Sequence, residues 1–388
     1  MPIVPTNRFL GFGTTIFAEM SRRAAAVGAV NLGQGFPDFD GPAHVKDAAI
    51  DAIRAGHNQY APMPGVPALR QAIADAWASD HGGFTTPIDP DEHVTVTAGC
   101  TEAIAAALLG LVNPGDEVIL FEPYYDSYRA CVSMVGATPR FVTLRAPGFT
   151  FDESELRAAF TPRTRAILVN TPHNPTGRVL TRDELGLIAR LCVEHDAIAL
   201  ADEVYEHLVF EGRHVRLASM PGMWARTVTM SSLGKTFSLT GWKIGWAVAP
   251  APLTAGLRAA HQFLTYAVST PAQHAAAAAL RSDRSYFEAF IAEHRERRDY
   301  LCGALSEIGF GVRPPEGTYF VLADHTPLGA GDDVAFCDRL LDEVGVAAIP
   351  PTAFYEHTAE GRSLVRFAFC KRMDTLREAV GRLRRLAR

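Results

Sequence analysis

The stretch Ala197-Ile198-Ala199-Leu200-Ala201-Asp202-Glu203-Val204-Tyr205 decides how this chain is read. Its short uninterrupted apolar run reads as a strand buried on both faces, the pattern of a parallel sheet lying between layers of helix. Asp202 closes the run and therefore projects from the carboxyl end of a central strand, where open α/β sheets bind ligands. Taken alone, an acid at that point is equally a turn former or a helix cap. The surrounding stretches decide between these readings.

From about Asp91 to Pro250, short β-branched runs alternate with helical patterns. The strand candidates are Val94 to Thr97, Glu117 to Phe121, Ala166 to Asn170, Ala197 to Asp202, Val228 to Ser231 and Ile244 to Ala249. Such alternation predicts an α/β fold with a mostly parallel central sheet sandwiched by helices. Thr181-Arg182-Asp183-Glu184 has the spacing of a capping box and starts a helix that runs to His195. Beyond Arg281 the texture changes to a long charged helix, Ser285 to Ile308. Strands follow near Tyr319 to Ala323, Val346 to Ile349 and Leu364 to Phe369, with a last helix from Met373. We therefore expect a large domain over 40–280 and a smaller α/β domain made of 1–39 and 281–388.

With 388 residues, 48% of them apolar and 21% charged, the chain is long enough to bury a deep site between two domains. A net charge of −6 argues against nucleic acid or an anionic membrane as a partner, since polyanions demand a basic surface. The expected ligand is a small molecule. Cysteines at 100, 131, 192, 302, 337 and 370 form neither a Cys-x-x-Cys pair nor a compact framework, so reduced thiols and no metal site are expected. There is no signal-like amino terminus and no apolar run near the ~18 residues a membrane span requires. A cytoplasmic protein is expected.

Chemistry enters at Ser231-Ser232-Leu233-Gly234-Lys235-Thr236-Phe237-Ser238, with Lys243 eight positions further on. An amine among small hydroxyl and glycine residues, with a second cation nearby, suits a lysine that forms a Schiff base beside a phosphate. A matching phosphate seat lies where Val94 to Thr97 leads through Ala98-Gly99-Cys100-Thr101-Glu102 into a helix from Ala103 to Val112, because a helix start offers unpaired N–H groups. Arg366, in Leu364-Val365-Arg366-Phe367-Ala368-Phe369, is a planar fork on an apolar strand. Such an arginine has either a specific anion or a structural ion-pair partner. His173-Asn174-Pro175-Thr176-Gly177 read in isolation is a turn.

Asn174, Asp202, Tyr205 and Lys235, in that order and those contexts, closely resemble the class I/II aminotransferases, fold-type I enzymes that use pyridoxal 5′-phosphate, and the likeness covers nearly the whole chain. Leu32-Gly33-Gln34-Gly35-Phe36-Pro37-Asp38, Pro221-Gly222-Met223-Trp224 and Gly317-Thr318-Tyr319-Phe320 place it nearest the branch of kynurenine aminotransferase/glutamine transaminase K, methionine aminotransferases and bacterial N-succinyldiaminopimelate aminotransferases. Glu203 to Phe210 and Val346 to Pro350 lean toward the last of these.

The resemblance implies a role for each residue. Lys235 carries the cofactor and moves the Cα proton. Asp202 keeps the ring nitrogen protonated, and Tyr205 and Asn174 bond the ring oxygen. Backbone N–H groups of Cys100 and Thr101, with Ser232 and Lys243, hold the phosphate. Cys100 stands where Gly or Ala is usual and reads as a packing residue. Tyr125 stacks on the ring and Arg366 takes the substrate α-carboxylate. Backbone at Gly35, together with Asn174, Tyr125 and Phe17, borders the substrate, and Phe17, Phe36 and Tyr319 give an apolar side-chain pocket. Tyr60 reaches the phosphate of a second subunit, which implies a homodimer with shared sites. The expected reaction is ping-pong transfer of an α-amino group from an L-amino acid to a 2-oxo acid. A carbon–sulfur β-lyase and a non-catalytic cofactor-binding sensor are the alternatives.

Overall fold

In the computed structural model of the chain, which describes residues 6–9, 12–79, 84–329 and 331–387, twelve strands are sorted into three sheets. In chain order they are β1 Val30–Asn31, β2 Val94–Thr97, β3 Glu117–Glu122, β4 Thr138–Thr143, β5 Thr164–Asn170, β6 Ile198–Asp202, β7 Thr227–Ser232, β8 Gly245–Val248, β9 Gly311–Val312, β10 Phe320–Asp324, β11 Val346–Ala347 and β12 Leu364–Ala368. Seven of them form the main sheet in the order β2-β8-β7-β6-β5-β3-β4. All its pairings are parallel except those of β8, which runs antiparallel to both β2 and β7.

The physical reason for this sheet is visible in β3 and β6, every residue of which is buried. Strands covered on both faces need helices above and below, and the connections supply them. The expected capping box is present: Thr181 Oγ1 accepts from Glu184 N while the Glu184 carboxylate accepts from Thr181 N, opening the helix Arg182–Glu194. At the sheet edge, β4 gave no sequence signal because Pro139 and its half-buried neighbours break the apolar run that marks the central strands.

Most boundaries fall within two residues of expectation, and three of the differences have a visible local cause. The helix after β2 starts at Gly99, not Ala103, because Gly99 turns the chain at φ 75° and the Glu102 carboxylate reaches back to Ala98 N. The strand expected over Val346 to Ile349 stops at Ala347, and Ile349 instead makes an isolated bridge to Arg366. The strand expected from Tyr319 begins at Phe320, with Tyr319 tied through its carbonyl to Phe369 N. The long helix Arg284–Ile308 and the last helix Met373–Leu383 lie where the pattern put them.

Beyond the main sheet, β10 pairs antiparallel with β9 and β12, and β1 pairs parallel with β11, joining the chain's start to its last third. Among the described residues no helix is long and apolar enough to cross a membrane.

Candidate active site

The register of the main sheet sets Asn170, at the end of β5, beside Asp202, at the end of β6, and Asp202 beside Met230 of β7. Three strand ends thus open on one cavity of about 150 Å³, bordered by Asn174, Tyr205, Lys235, Lys243, Tyr125 and Tyr128 among others. Asn170 ties the pieces together. Its Nδ2 donates to the Asp202 carbonyl at 2.9 Å, and its Oδ1 accepts from Asn174 N at 2.7 Å.

Lys235 lies in the single turn Leu233–Thr236 that follows β7. Its Nζ is 5.7 Å from the Tyr205 ring and 5.8 Å from the Tyr319 ring, and it makes no hydrogen bond among the described residues. Burial lowers its pKa from the usual lysine range, against the pull of Cys370 and Asp202. Asp202, 4% exposed, accepts from the Tyr128 hydroxyl at 2.7 Å and from Val204 N at 3.2 Å. Burial raises its pKa, and these two donors work in the opposite direction. The Tyr205 phenol is pushed far up by burial, so it stays protonated.

Behind the turn that carries Asp202 and Tyr205 lies a charged brace. The buried Glu203 accepts from His214 Nε2 at 2.9 Å and faces Arg216 Nη1 at 3.4 Å. Arg216 Nη2 also reaches Glu206 at 2.7 Å, and Glu206 accepts from Ser231 Oγ at 2.8 Å. The strand-end turn of β6 is therefore fastened to the end of β7 by fully paired charges.

At the opposite end of the cavity, the helix Gly99–Leu111 has no side-chain cap, which leaves the N–H groups of its first turn directed at the cavity. Gly99 holds φ 75°, which favours glycine, and a Cβ there would stand a tight 3.3 Å from Lys243 Nζ. Lys243 adopts φ 54°, a left-handed turn just before β8, and its ammonium lies beside the helix start at Gly99. Cys100 lines the same wall, its thiol held protonated chiefly by burial and then by Asp202.

Arg366, on β12, is 2% exposed and has no carboxylate partner among the described residues. Its Nη2 donates to the Gly33 carbonyl at 2.8 Å, its Nη1 lies 3.4 Å from Asn174 Oδ1, and its Nε is buried without a partner. Phe320, Phe17 and Phe354 surround the guanidinium at 4.4, 4.9 and 5.1 Å. A buried cation with an unused donor and aromatic walls is arranged for an incoming planar anion. The backbone at Gly35 passes so close that a Cβ would fall 2.5 Å from the Phe320 ring, and its carbonyl accepts from the Tyr319 hydroxyl at 2.7 Å.

The fold thus brings Cys100, Thr101, Tyr125, Asn174, Asp202, Tyr205, Ser232, Lys235 and Lys243 to one cavity, with Arg366, Gly35 and Phe17 grouped beside Asn174. It does not bring Tyr60 there: that residue is 86% exposed and meets Tyr266 edge-on. Phe36 is 46% exposed and lies against the Lys371 ammonium, 5.0 Å away. His173 is a buried loop residue whose Nδ1 is 2.9 Å from Thr176 Oγ1. Sequence reasoning missed Tyr128, Asn170, Gly33 and Phe354. Tyr128 left a trace, one helical turn beyond Tyr125, whereas nothing local marks Phe354. No group of three or more His, Cys, Asp or Glu side chains among the described residues is placed to hold a metal ion.

Comparison with known proteins places these features in a wider set. The family model for class I and II aminotransferases matches residues 27–383. A Mycobacterium tuberculosis protein named "Probable N-succinyldiaminopimelate aminotransferase" is 52% identical over 392 residues, covering 98% of each chain. The methionine aminotransferase of Escherichia coli is 42% identical over 386 residues, 99% of each. Among solved structures, N-succinyldiaminopimelate aminotransferase from Mycobacterium tuberculosis superposes with a TM-score of 0.95 at 51% identity, covering 99% of this chain and all of the other. Aspartate aminotransferase from Thermus thermophilus with maleate gives 0.91 at 34%, again over 99% of this chain and all of the other.

Proposed function

We propose a donor and a division of labour from one premise: the chain belongs to the class I and II aminotransferases, and is an enzyme that transfers amino groups with pyridoxal 5′-phosphate. The residues fit that cofactor, on three observations. Lys235 has an unbonded amine, the helix at Gly99 has an uncapped start beside Lys243, and Asp202 is an acid enclosed by donors.

When bound, the cofactor supplies an electron-withdrawing ring that accepts the electron pair left on the substrate Cα. The protein does the rest in this reading. Lys235 holds the cofactor through Nζ and, once released by the incoming amine, carries the Cα proton on that nitrogen; its lowered pKa keeps the free amine available as a base. Asp202 would hold a proton on the ring nitrogen. Tyr205 and Asn174 would bond the ring oxygen, and Tyr125 would pack against the ring. The N–H groups of Cys100 and Thr101, with Ser232 and Lys243, take the phosphate. Arg366, with Asn174 beside it, orients the α-carboxylate so that the Cα–H points at Lys235. Release of the oxo acid before the acceptor enters makes the kinetics ping-pong.

As amino donor we propose N-succinyl-LL-diaminopimelate, on the 52% identity to the mycobacterial protein of that name, ten points above the methionine enzyme. The Phe17 and Phe354 rings around Arg366 favour a second reading, an uncharged donor such as methionine, glutamine or kynurenine. The assembly is a homodimer, supported by the exposed aromatics Tyr60, which meets Tyr266 edge-on, and Phe263. Six free, buried cysteines favour the reducing cytoplasm.

The buried guanidinium of Arg366, with its unpartnered Nε, next to the Lys235 cavity is the observation that carries this reading. A donor panel followed by loss of cofactor absorbance tests it: kcat/KM with N-succinyl-LL-diaminopimelate should exceed that with methionine, glutamine or kynurenine. The reverse order selects the second reading, and full activity in Lys235→Ala defeats both.

A further inference from the structure

We infer that Tyr128 is a positioning residue that acts through Asp202 to keep the shared proton on the cofactor's ring nitrogen; this rests on the role proposed above for Asp202. The Tyr128 hydroxyl lies 2.7 Å from Asp202 Oδ2, and the residue is 3% exposed in the wall of the same cavity. A phenol has one hydrogen to give. Here it points at a carboxylate that has none to return, so the hydrogen bond is satisfied best when Asp202 is ionised.

The other groups around Asp202 act in the same sense. Val204 N donates to Oδ1 at 3.2 Å, and the Cys100 thiol lies close enough to favour its negative charge. Tyr128 and Cys100 are both kept protonated, primarily by burial and then by Asp202. Against them stands the burial of Asp202, which favours a neutral carboxyl. Between a ring nitrogen and a carboxylate only one proton is shared. Loss of the Tyr128 hydroxyl makes Asp202 the stronger base and draws that proton from nitrogen to oxygen, leaving an uncharged pair and a poorer electron sink. The hydroxyl hydrogen itself stays on Tyr128 throughout. The ring of Tyr128 has a separate task, meeting Tyr125 edge-on at 5.6 Å and 85°, and Tyr128→Phe preserves it.

The test compares three holoenzymes without substrate, wild type, Tyr128→Phe and Asp202→Asn, each loaded with cofactor carrying ¹⁵N in the ring, by ¹⁵N NMR. Tyr128→Phe should move the ring-nitrogen resonance from the pyridinium position part of the way toward that of Asp202→Asn. With saturating amino acid, kcat should fall about tenfold with little change in KM. A wild-type resonance in Tyr128→Phe overturns the inference while leaving Asp202 in its role. A wild-type resonance in Asp202→Asn defeats the role of Asp202 and the inference with it. If Tyr128→Phe does not fold, 4-aminophenylalanine at position 128, which still donates but more weakly, should move the resonance in the same direction, and no movement overturns the inference.

Discussion

Arg366 Nη1 stands 3.4 Å from Asn174 Oδ1, a contact that joins positions 192 apart in the sequence at the edge of the proposed carboxylate seat. No carboxylate among the described residues forms an ion pair with this guanidinium, Asp126 acting on it only from a distance, and its buried Nε has no partner. Arg366→Lys keeps the charge and loses the planar pair of donors. We expect kcat/KM for the amino donor to fall about 100-fold, roughly 3 kcal/mol, with the melting temperature nearly unchanged. A melting temperature that falls while kcat/KM holds would assign Arg366 to structure instead.

Arg216 bridges Glu203 and Glu206 and stacks over Trp77 at 4.4 Å. Arg216→Met fills the volume but removes the cation shared by two buried carboxylates, leaving Glu203 with His214 and Leu217 N and Glu206 with Ser231. The expected loss is about 3–5 kcal/mol of stability by urea unfolding, with reduced cofactor retention because both acids flank the turn of Asp202 and Tyr205. Unchanged stability would show that the brace is dispensable.

Acid should unfold the protein in two stages. Burial depresses His173 to about 3 and His294 to about 4, from 6.5. The unfolded chain takes up these protons near pH 6.5 and the folded chain refuses them until pH 3 to 4, so stability is complete above 6.5 and declines as pH falls through that window. By pH 4.5 each histidine should cost on the order of 2 kcal/mol. Glu206 is held at about 2, beside Arg216 despite its burial, and its contribution is present above 4.5 and lost between there and 2. Urea unfolding at pH 7.5 and 4.5 checks the first stage, and His173→Asn should remove about half of the difference.

Phe263, like Tyr60, is 86% exposed. If a second copy covers this face, Phe263→Asp should raise the dimer dissociation constant by more than 100-fold, about 3 kcal/mol, in sedimentation equilibrium. Weaker cofactor retention should follow, and Tyr60→Phe should reproduce that weakening with the dimer intact. A wild type that sediments as a monomer removes the dimer from the account.

Local pattern made much of this legible. The buried run ending at Asp202, the capping box at Thr181 and the charged periodicity up to Ile308 each announce their element, because burial on two faces, a reciprocal cap and a 3.6-residue repeat are written in adjacent residues. Edge strand β4 and the true helix start at Gly99 were not legible. The first is half exposed and carries Pro139, and the second depends on Glu102 folding back onto Ala98.

By itself, then, the sequence determined the sheet that must be buried and the family to which Lys235, Asp202, Asn174 and Arg366 point. Tertiary structure alone decided which phenol meets Asp202, that Asn170 links two strand ends, that Phe17, Phe320 and Phe354 gather around one guanidinium, and that Tyr60 turns away from its own chain's cavity. The reason is physical: periodicity and capping act between residues a few positions apart, whereas a hydrogen bond across 74 residues or an aromatic cage drawn from three segments exists only once the sheet register has been set.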